Sequence, residues 1–278
     1  MLGHRMVRTL RPRFDCWFTS RDSALSGQVA ADCPHVPNLD VAHWPQVEDA
    51  LNTVQPDVVV NCVGVTTRKL AGDTGVNEVN LNALLPRRLA SWCLNAQRRL
   101  FHISTDCVFS GSLGSYTEQS VPDANDLYGR SKALGEVEGA GIVTLRGSIV
   151  GRELRQPGTE LFEWCIAQRG KTIKGFRKAL YSGVTTNYLS HLVARLIKEQ
   201  PHMSGLYQVA GEPISKYELL QKLNHKLGLD ITIQPDDTYS SDKTLRADRL
   251  AELIGSPAPG WDEMLEQMVR ETEIQASV

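Results

Sequence analysis

The sequence has 278 residues, enough to bury a sizeable core in one large domain or two small ones. Hydrophobic residues make up 41% and charged residues 22%, and the formal net charge is -2. This balance argues against a nucleic-acid surface or a basic membrane patch. Because no apolar run approaches the ~20 residues of a membrane-spanning helix, we expect a cytoplasmic protein that binds neither partner.

Short apolar runs alternate with helical periodicities through the first two thirds of the chain. In chain order they predict a strand over 15–20, a helix over 46–54, a strand over 58–62, a helix over 81–92 kinked at Pro86, a strand over 100–104, a helix over 126–139 and a strand over 142–146. Continuous apolar strands are typical of parallel sheets covered on both faces. The sequence therefore predicts an α/β protein with a doubly wound parallel sheet.

The rhythm changes after Gly151. The predicted elements there are helices over 159–169, 189–197 and 262–270, a capping-box helix that begins after Ser215, and strands over 206–210 and 231–234. No low-complexity linker separates the two parts. We therefore predict a dinucleotide-binding type of domain over 1–151 and a smaller cap over 152–278 that is interleaved with the last strands of the sheet.

Tyr128 and Lys132 lie four residues apart on a predicted helix and share one face. An ammonium group beside a phenol favours the phenolate and lowers the pKa of the tyrosine. Carbonyl reduction needs such an acid, because the oxygen of a carbonyl that gains hydride must also gain a proton. Thr105 ends an apolar strand about twenty residues upstream, at the edge where open α/β sheets bind ligands.

These residues belong to a longer pattern. The run FHISTDCVFSG, followed by YTEQSVPDANDLYGRSKALGE, resembles the extended short-chain dehydrogenases, and most closely the dTDP-4-dehydrorhamnose reductase branch. The resemblance covers nearly the whole chain and is most specific in the STD and YGRSK motifs. It implies a Rossmann-type domain with a C-terminal substrate-binding cap.

The resemblance also implies residue roles. Tyr128 would protonate the keto oxygen of a sugar, Thr105 would hydrogen-bond that oxygen, and Lys132 would hold the nicotinamide ribose. Asp106 would lie in the substrate site. The implied cofactor contacts are Gly3 as the third glycine of GxxGxxG, Asp40 near the adenine, Gly64 near the ribose, Asn80 behind the active site and Ser148 near the nicotinamide. Residues 152–188 would line the sugar pocket, with Arg152, Lys174, Lys178 and Tyr181 as candidate diphosphate contacts.

The choice of nicotinamide cofactor depends on the end of the first predicted strand. An arginine there favours the 2′-phosphate of NADP, whereas an acidic residue favours the 2′-hydroxyl of NAD. Ser20 and Arg21 favour NADP(H), and Asp22 keeps NAD(H) open.

The front of the chain departs from the family pattern. Members begin with a hydrophobic strand and GxxGxxG, but here only Gly3 and the helix after it match. Either the recorded start lies inside a longer reading frame, which the intact downstream motifs favour, or the cofactor site is impaired. In both cases we expect residues 16–19 and 58–62 to flank an open position in the sheet.

The predicted activity is NAD(P)H-dependent reduction of the 4-keto group of a nucleotide-linked deoxysugar, used for surface polysaccharide precursors. Two alternatives stay open: a nucleotide-sugar epimerase or dehydratase, and a non-catalytic regulator that resembles the β subunit of methionine adenosyltransferase. A homodimer is compatible with either kind of function.

Overall fold

The structure is a computed structural model, and it describes residues 1–22, 26–66, 75–154 and 157–276. The helices are α1 (Leu2–Leu10), α2 (Ser26–Ala30), α3 (Trp44–Val54), α4 (Val76–Glu78), α5 (Leu85–Asn95), α6 (Leu127–Leu134), α7 (Leu161–Ile166), α8 (Thr186–Glu199), α9 (Lys216–Leu227), α10 (Asp248–Ile254) and α11 (Trp261–Ala276). A π-helical stretch, Val79–Leu84, joins α4 to α5. Within the described ranges, no helix combines the length and the apolar character needed to cross a bilayer.

The strands are β1 (Phe18–Thr19), β2 (His35–Val36), β3 (Val58–Asn61), β4 (Arg99–Ser104), β5 (Ile142–Arg146), β6 (Ile149–Val150), β7 (Thr172–Tyr181), β8 (Val184–Thr185), β9 (Gly205–Gln208), β10 (Ile214–Ser215) and β11 (Thr232–Lys243). A 3-10 turn, Asp106–Val108, follows β4.

Four parallel strands form the central sheet in the order β3-β4-β5-β9. The inner strands are buried along most of their length because one hydrophobic cluster, with α1 and α8, covers one face and a second, with α3 and α5, covers the other. This arrangement confirms the predicted α/β fold with a parallel sheet.

A cavity separates β1 from β3. In the described part of the chain β1 pairs with β2 alone, and no ladder joins it to the central sheet. The cavity has a volume of about 640 Å³, and Met6 of α1, Leu51 of α3 and Val60 of β3 are among its lining residues. The open position expected between residues 16–19 and 58–62 is therefore present.

The second half of the chain adds a three-stranded sheet in the order β10-β7-β11, with α9 packed on β7. β9 lies between these strands in the sequence but returns to the central sheet beside β5. The cap and the domain are thus interleaved, whereas the division at residue 151 stays a prediction.

Several element boundaries differ from the predictions. Strand 15–20 shortens to two residues, and strand 231–234 extends to Lys243. β7 was not predicted, because half of its side chains are exposed and its pairing with β11 defines it. Pro86 does not kink a continuous helix but lies in the first turn of α5, after the π-helical stretch, where a missing N–H costs little. The helix predicted over 126–139 ends at Leu134.

Candidate active site

Thr105 lies directly after the last residue of β4, at the carboxyl edge of the parallel sheet. Its side-chain oxygen accepts a hydrogen bond of 3.1 Å from the Cys107 amide and caps the 3-10 turn. The hydroxyl also donates to Asp106 Oδ1 at 3.2 Å. Both residues are buried, so the turn fixes the Thr105 hydroxyl in one place.

Tyr128 lies in the first turn of α6 and is half-buried, and the Thr105 side chain is near enough to influence the pKa of its phenol. Asp126 caps this helix by accepting a hydrogen bond of 2.8 Å from the Gly129 amide. A Cβ atom on Gly129 would lie only 2.2 Å from the Cys107 carbonyl oxygen. The glycine therefore lets α6 lie directly on the turn that carries Thr105, and this contact brings Tyr128 and Thr105 together.

Burial raises the pKa of Tyr128, and the nearby Cys107, Asp106 and Glu160 side chains act in the same direction. The hydrogen bond from Thr105 opposes them. Removal of the phenolate from water therefore has the largest effect on this pKa, and the expected lowering of it by Lys132 stays a prediction. Tyr128 therefore keeps its proton at neutral pH, which is the state a proton donor needs.

Lys132 is buried on the same helix, and its Nζ atom donates a hydrogen bond of 2.6 Å to the Ile103 carbonyl oxygen. Burial lowers its pKa to about 8, while the charge of Glu136 opposes that change. Gly64 is exposed and lies next to the Lys132 ammonium group, because a Cβ atom on this glycine would be 3.9 Å from Nζ. The absence of a side chain leaves a ligand room beside the ammonium group, so Gly64 and Lys132 fit the ribose of a nicotinamide cofactor.

The buried amide behind the site belongs to Asn82. The resemblance had implied Asn80 for this position. Asn82 is fully buried in the π-helical stretch, whereas Asn80 is only half-buried. The Asn82 side chain exchanges two hydrogen bonds of 2.9 Å with the Val65 backbone and donates one of 3.1 Å to Ser131 Oγ of α6. The widened π-helical turn changes which residues face inward, and here it directs Asn82 towards Val65 and Ser131, while the role that the resemblance implies for Asn80 stays a prediction.

Gly3 and Ser148 lie where the backbone approaches other elements closely. Gly3 of α1 lies beside β3, because a Cβ atom there would be 3.9 Å from Cys62 Cβ. That distance is an ordinary van der Waals contact, so the role of Gly3 in close helix–strand packing stays a prediction. Ser148 follows β5, and its carbonyl oxygen accepts a hydrogen bond of 2.9 Å from the Val184 amide.

Arg21 and Asp40 lie at the outer edge of the same region. Arg21 follows β1 and is exposed. Asp40 is exposed as well, and its side chain accepts a hydrogen bond of 3.0 Å from the Ala42 amide, so it caps a turn before α3. Their proposed contacts with the adenosine half of a cofactor stay predictions.

Two of the basic residues predicted to contact the substrate are held by acidic partners. Arg152 Nε donates to Glu163 Oε1 at 2.6 Å, and the largely exposed Lys174 pairs with Asp236 at 3.2 Å. Lys178 is exposed on β7. The structure places Lys174 in an ion pair on the surface of the β7–β11 ladder, so that part of the substrate prediction is not supported.

Two other lysines of the cap, which the sequence did not predict, influence the site electrostatically. The charges of Lys216 and Lys243 both act on buried Asp106, next to Thr105. The Lys216 Nζ atom lies 3.6 Å from the centre of the Tyr181 ring, and the buried Tyr181 hydroxyl has no hydrogen-bond partner in the described part of the chain. Lys216 is the first residue of α9 and lies within the capping box S-K-Y-E. This motif predicted the helix, but it could not predict where the Lys216 side chain points.

Residues 19–274 match the family model described as the RmlD substrate binding domain. A dTDP-4-keto-6-deoxy-D-glucose reductase from Streptomyces niveus is 31% identical over 153 residues, which is 54% of this chain and 48% of that protein. The spore coat polysaccharide biosynthesis protein SpsK from Bacillus subtilis is 26% identical over 84% of this chain and 86% of its own length. The methionine adenosyltransferase 2 subunit beta from Xenopus tropicalis is 26% identical over 37% of this chain and 31% of its own.

Solved structures show the same fold. A hypothetical dTDP-4-dehydrorhamnose reductase from Sulfolobus tokodaii superposes with a TM-score of 0.76 at 25% identity and covers 92% of each chain. The dTDP-4-dehydrorhamnose reductase of Bacillus anthracis in complex with NADP gives 0.75 at 21% identity, over 92% of this chain and 98% of that one. The UDP-glucose 4-epimerase of Thermus thermophilus in complex with NAD gives 0.76 at 18% identity, over 97% and 95%.

Proposed function

The chain belongs to the family whose model is described as the RmlD substrate binding domain, and from this premise we propose that it reduces the 4-keto group of a nucleotide-linked deoxysugar with NADP(H) as cofactor. The observation that carries the proposal is that the close approach of α6 to the turn after β4 brings Tyr128 to the Thr105 side chain, with Lys132 one helical turn further along α6. The names of the relatives supply the substrate class, because the geometry itself supports only carbonyl reduction.

Each of the three residues has a separate task in this proposal. The Tyr128 hydroxyl donates its proton to the keto oxygen, and the Thr105 hydroxyl orients that oxygen by a hydrogen bond. The Lys132 ammonium binds the ribose hydroxyls beside Gly64. The dinucleotide, when bound, supplies the hydride.

NADP(H) is favoured over NAD(H) for two reasons. Arg21 follows β1 at the position where a cation would meet a 2′-phosphate. The Bacillus anthracis reductase, which shares the fold, is in complex with NADP. A cytoplasmic location and a homodimer stay predictions from the sequence.

The experiment is a ligand screen that follows NADPH oxidation with dTDP- and UDP-linked 4-keto-6-deoxysugars at constant enzyme concentration. A second version of the chain, extended at Met1 by an apolar strand and a glycine turn, is assayed in parallel. We expect turnover with at least one sugar in the extended version. Tightly bound NAD after purification would favour an epimerase, and co-purification with a synthetase subunit without turnover would favour the regulatory alternative.

A further inference from the structure

A buried ion pair lies behind the active site and has no task in the chemistry described above. Arg146 of β5 donates from Nε to Glu136 Oε1 at 2.8 Å and from Nη2 to Oε2 at 2.6 Å. The exposed fractions of the two side chains are 2% and 9%. Two parallel hydrogen bonds between buried charges fix the carboxylate both in position and in orientation.

Glu136 follows α6, the helix that carries Tyr128, and it joins the end of this helix both to Arg146 of β5 and to β4, the strand that leads to Thr105. Ser104, the last residue of β4, donates a hydrogen bond of 2.7 Å from Oγ to Glu136 Oε1. One residue earlier, the Ile103 carbonyl oxygen accepts the hydrogen bond from Lys132 Nζ. Lys132 and Glu136, four residues apart, therefore hold two consecutive residues of β4 immediately before Thr105. These two hydrogen bonds fix where α6 lies along β4, and they therefore fix the position of Tyr128 relative to Thr105.

Glu136 is also the source of negative charge for Lys132. The titratable groups whose charges act on or respond to Lys132 are Glu136 beyond α6, Cys62 after β3 and His102 on β4. Burial raises the pKa of Cys62 to about 12, and burial together with Lys132 lowers the pKa of His102 well below its usual range. Both groups are neutral at pH 7, and the N-terminal amino group acts on Cys62 rather than on Lys132. Among these described groups, Glu136 alone can offset the burial of the ammonium.

We propose that Glu136, fixed by Arg146, is a positioning residue that ties the end of α6 to Ser104 of β4 and so holds Lys132 and Tyr128 in register with Thr105. The catalytic meaning of this inference rests on the proposed function. Its physical content does not, because the protonation of Lys132 can be measured without substrate or cofactor.

The test is a pH titration of the Lys132 side chain by NMR in the 278-residue chain labelled at lysine, with the signal assigned by Lys132→Met. In Glu136→Gln the shape of the side chain stays and the charge is lost, so the pKa of Lys132 should fall by roughly one unit or more. Glu138→Gln, the same change at an exposed position two residues later, should leave it in place. Glu136→Asp retains the charge and should restore most of the difference.

Removal of one member of a buried ion pair can unfold a protein, since the other charge is left unpaired. If Glu136→Gln does not fold, the double variant Glu136→Gln/Arg146→Met leaves no unpaired charge. Because it removes one negative and one positive charge, the pKa of Lys132 should fall by less than in the single variant. An unchanged pKa in whichever variant folds overturns the inference. A lower pKa in a protein without reductase activity would uphold the role of Glu136 and overturn the proposed substrate instead.

Discussion

Tyr128 retains its proton because of its surroundings and not because of any one partner. Ionisation would leave a phenolate in a partly buried site that also contains Asp106 and Glu160, and both would repel it. The hydroxyl becomes a good donor only when negative charge develops on an oxygen within its reach. In the proposed reaction, hydride addition to a ketone would produce that charge on the carbonyl oxygen, and the Thr105 hydroxyl would provide a second hydrogen bond to it.

Tyr128→Phe should therefore remove most turnover while it leaves cofactor affinity unchanged. General acid catalysis contributes on the order of 10²–10⁴ in rate, and phenylalanine keeps the ring but has no proton to donate. The measurement is kcat with NADPH, together with the Kd of NADPH, in the strand-extended version. Tyr217→Phe, which removes an exposed hydroxyl on α9, is the matched control. Wild-type kcat in Tyr128→Phe would show that another group donates the proton.

Arg21→Ala should weaken NADPH binding far more than NADH binding. A hydrogen bond to a charged group is worth about 1.5–3 kcal/mol, which corresponds to roughly ten- to hundredfold in Kd. Calorimetric titration of both cofactors gives the ratio. Arg98→Ala, which removes an arginine paired with Asp57, serves as the control for loss of surface charge. Equal weakening of both cofactors, or a preference for NADH in the unmodified protein, would contradict the assignment of NADP.

At the scale of elements, the active site depends on how closely α6 approaches its neighbours. Gly129 meets the turn after β4, and Gly135 at the end of α6 meets the Asn82 carbonyl, where a Cβ atom would lie 1.8 Å from the oxygen. Neither contact can be relieved by rotation of a side chain, because the nearest atoms belong to the backbone. The two glycines thus permit α6 to lie between the 3-10 turn and the π-helical stretch.

Gly129→Ala should destabilise the protein by about 1–3 kcal/mol, the usual effect of overpacking, and should also reduce kcat. The added methyl group would displace α6 from the Cys107 carbonyl and separate Tyr128 from Thr105. Chemical unfolding and kcat are both measured. Gly27→Ala in α2 is the control, since a Cβ atom there has nothing within 4 Å and alanine favours a helix. Full stability in Gly129→Ala would mean that α6 lies further from the turn than described.

At the scale of the whole molecule, the cavity between β1 and β3 interrupts the sheet. Both strands run parallel to their neighbours, and the edges that face the cavity carry backbone groups without ladder partners in the described part of the chain. Buried backbone groups are rarely left unpaired. The N-terminal amino group acts on Cys62, so it lies near the carboxyl end of β3. A strand that runs parallel to β3 and then turns would end beside Met1.

We therefore predict that an added N-terminal strand of about five β-branched residues that ends in GxxG raises both stability and NADPH affinity. Each apolar side chain buried contributes about 1.5–3 kcal/mol before the cost of ordering the chain, and the glycine turn would present amide groups to the pyrophosphate at the start of α1. Thermal unfolding and calorimetric titration of NADPH compare the two versions. An extension of equal length with serine and asparagine in place of the apolar residues is the control. Micromolar NADPH binding by the 278-residue chain, with no gain on extension, would contradict this prediction.

The sequence by itself determined the alternation of elements and the residues of the proposed catalytic set. Apolar runs such as 58–62 and 142–146 predict buried parallel strands, because a strand covered on both faces has no polar side to display. The STD and YGRSK motifs identify Thr105, Tyr128 and Lys132, because their chemistry constrains residue type and spacing along the chain. The open position beside β3 was expected from the resemblance, because the family's first strand has no counterpart in this sequence.

Only the tertiary structure decided which side chains meet across elements. The pairing of β7 with β11 depends on contacts distant in sequence, and the π-helical stretch turned Asn82 inward in place of Asn80. The orientation of Lys216 towards Asp106, the ion pair that holds Lys174, and the Glu136–Arg146 pair behind Lys132 have the same origin. Local patterns determine the type of an element, but the direction of a charged side chain depends on the burial and partners that the folded chain provides.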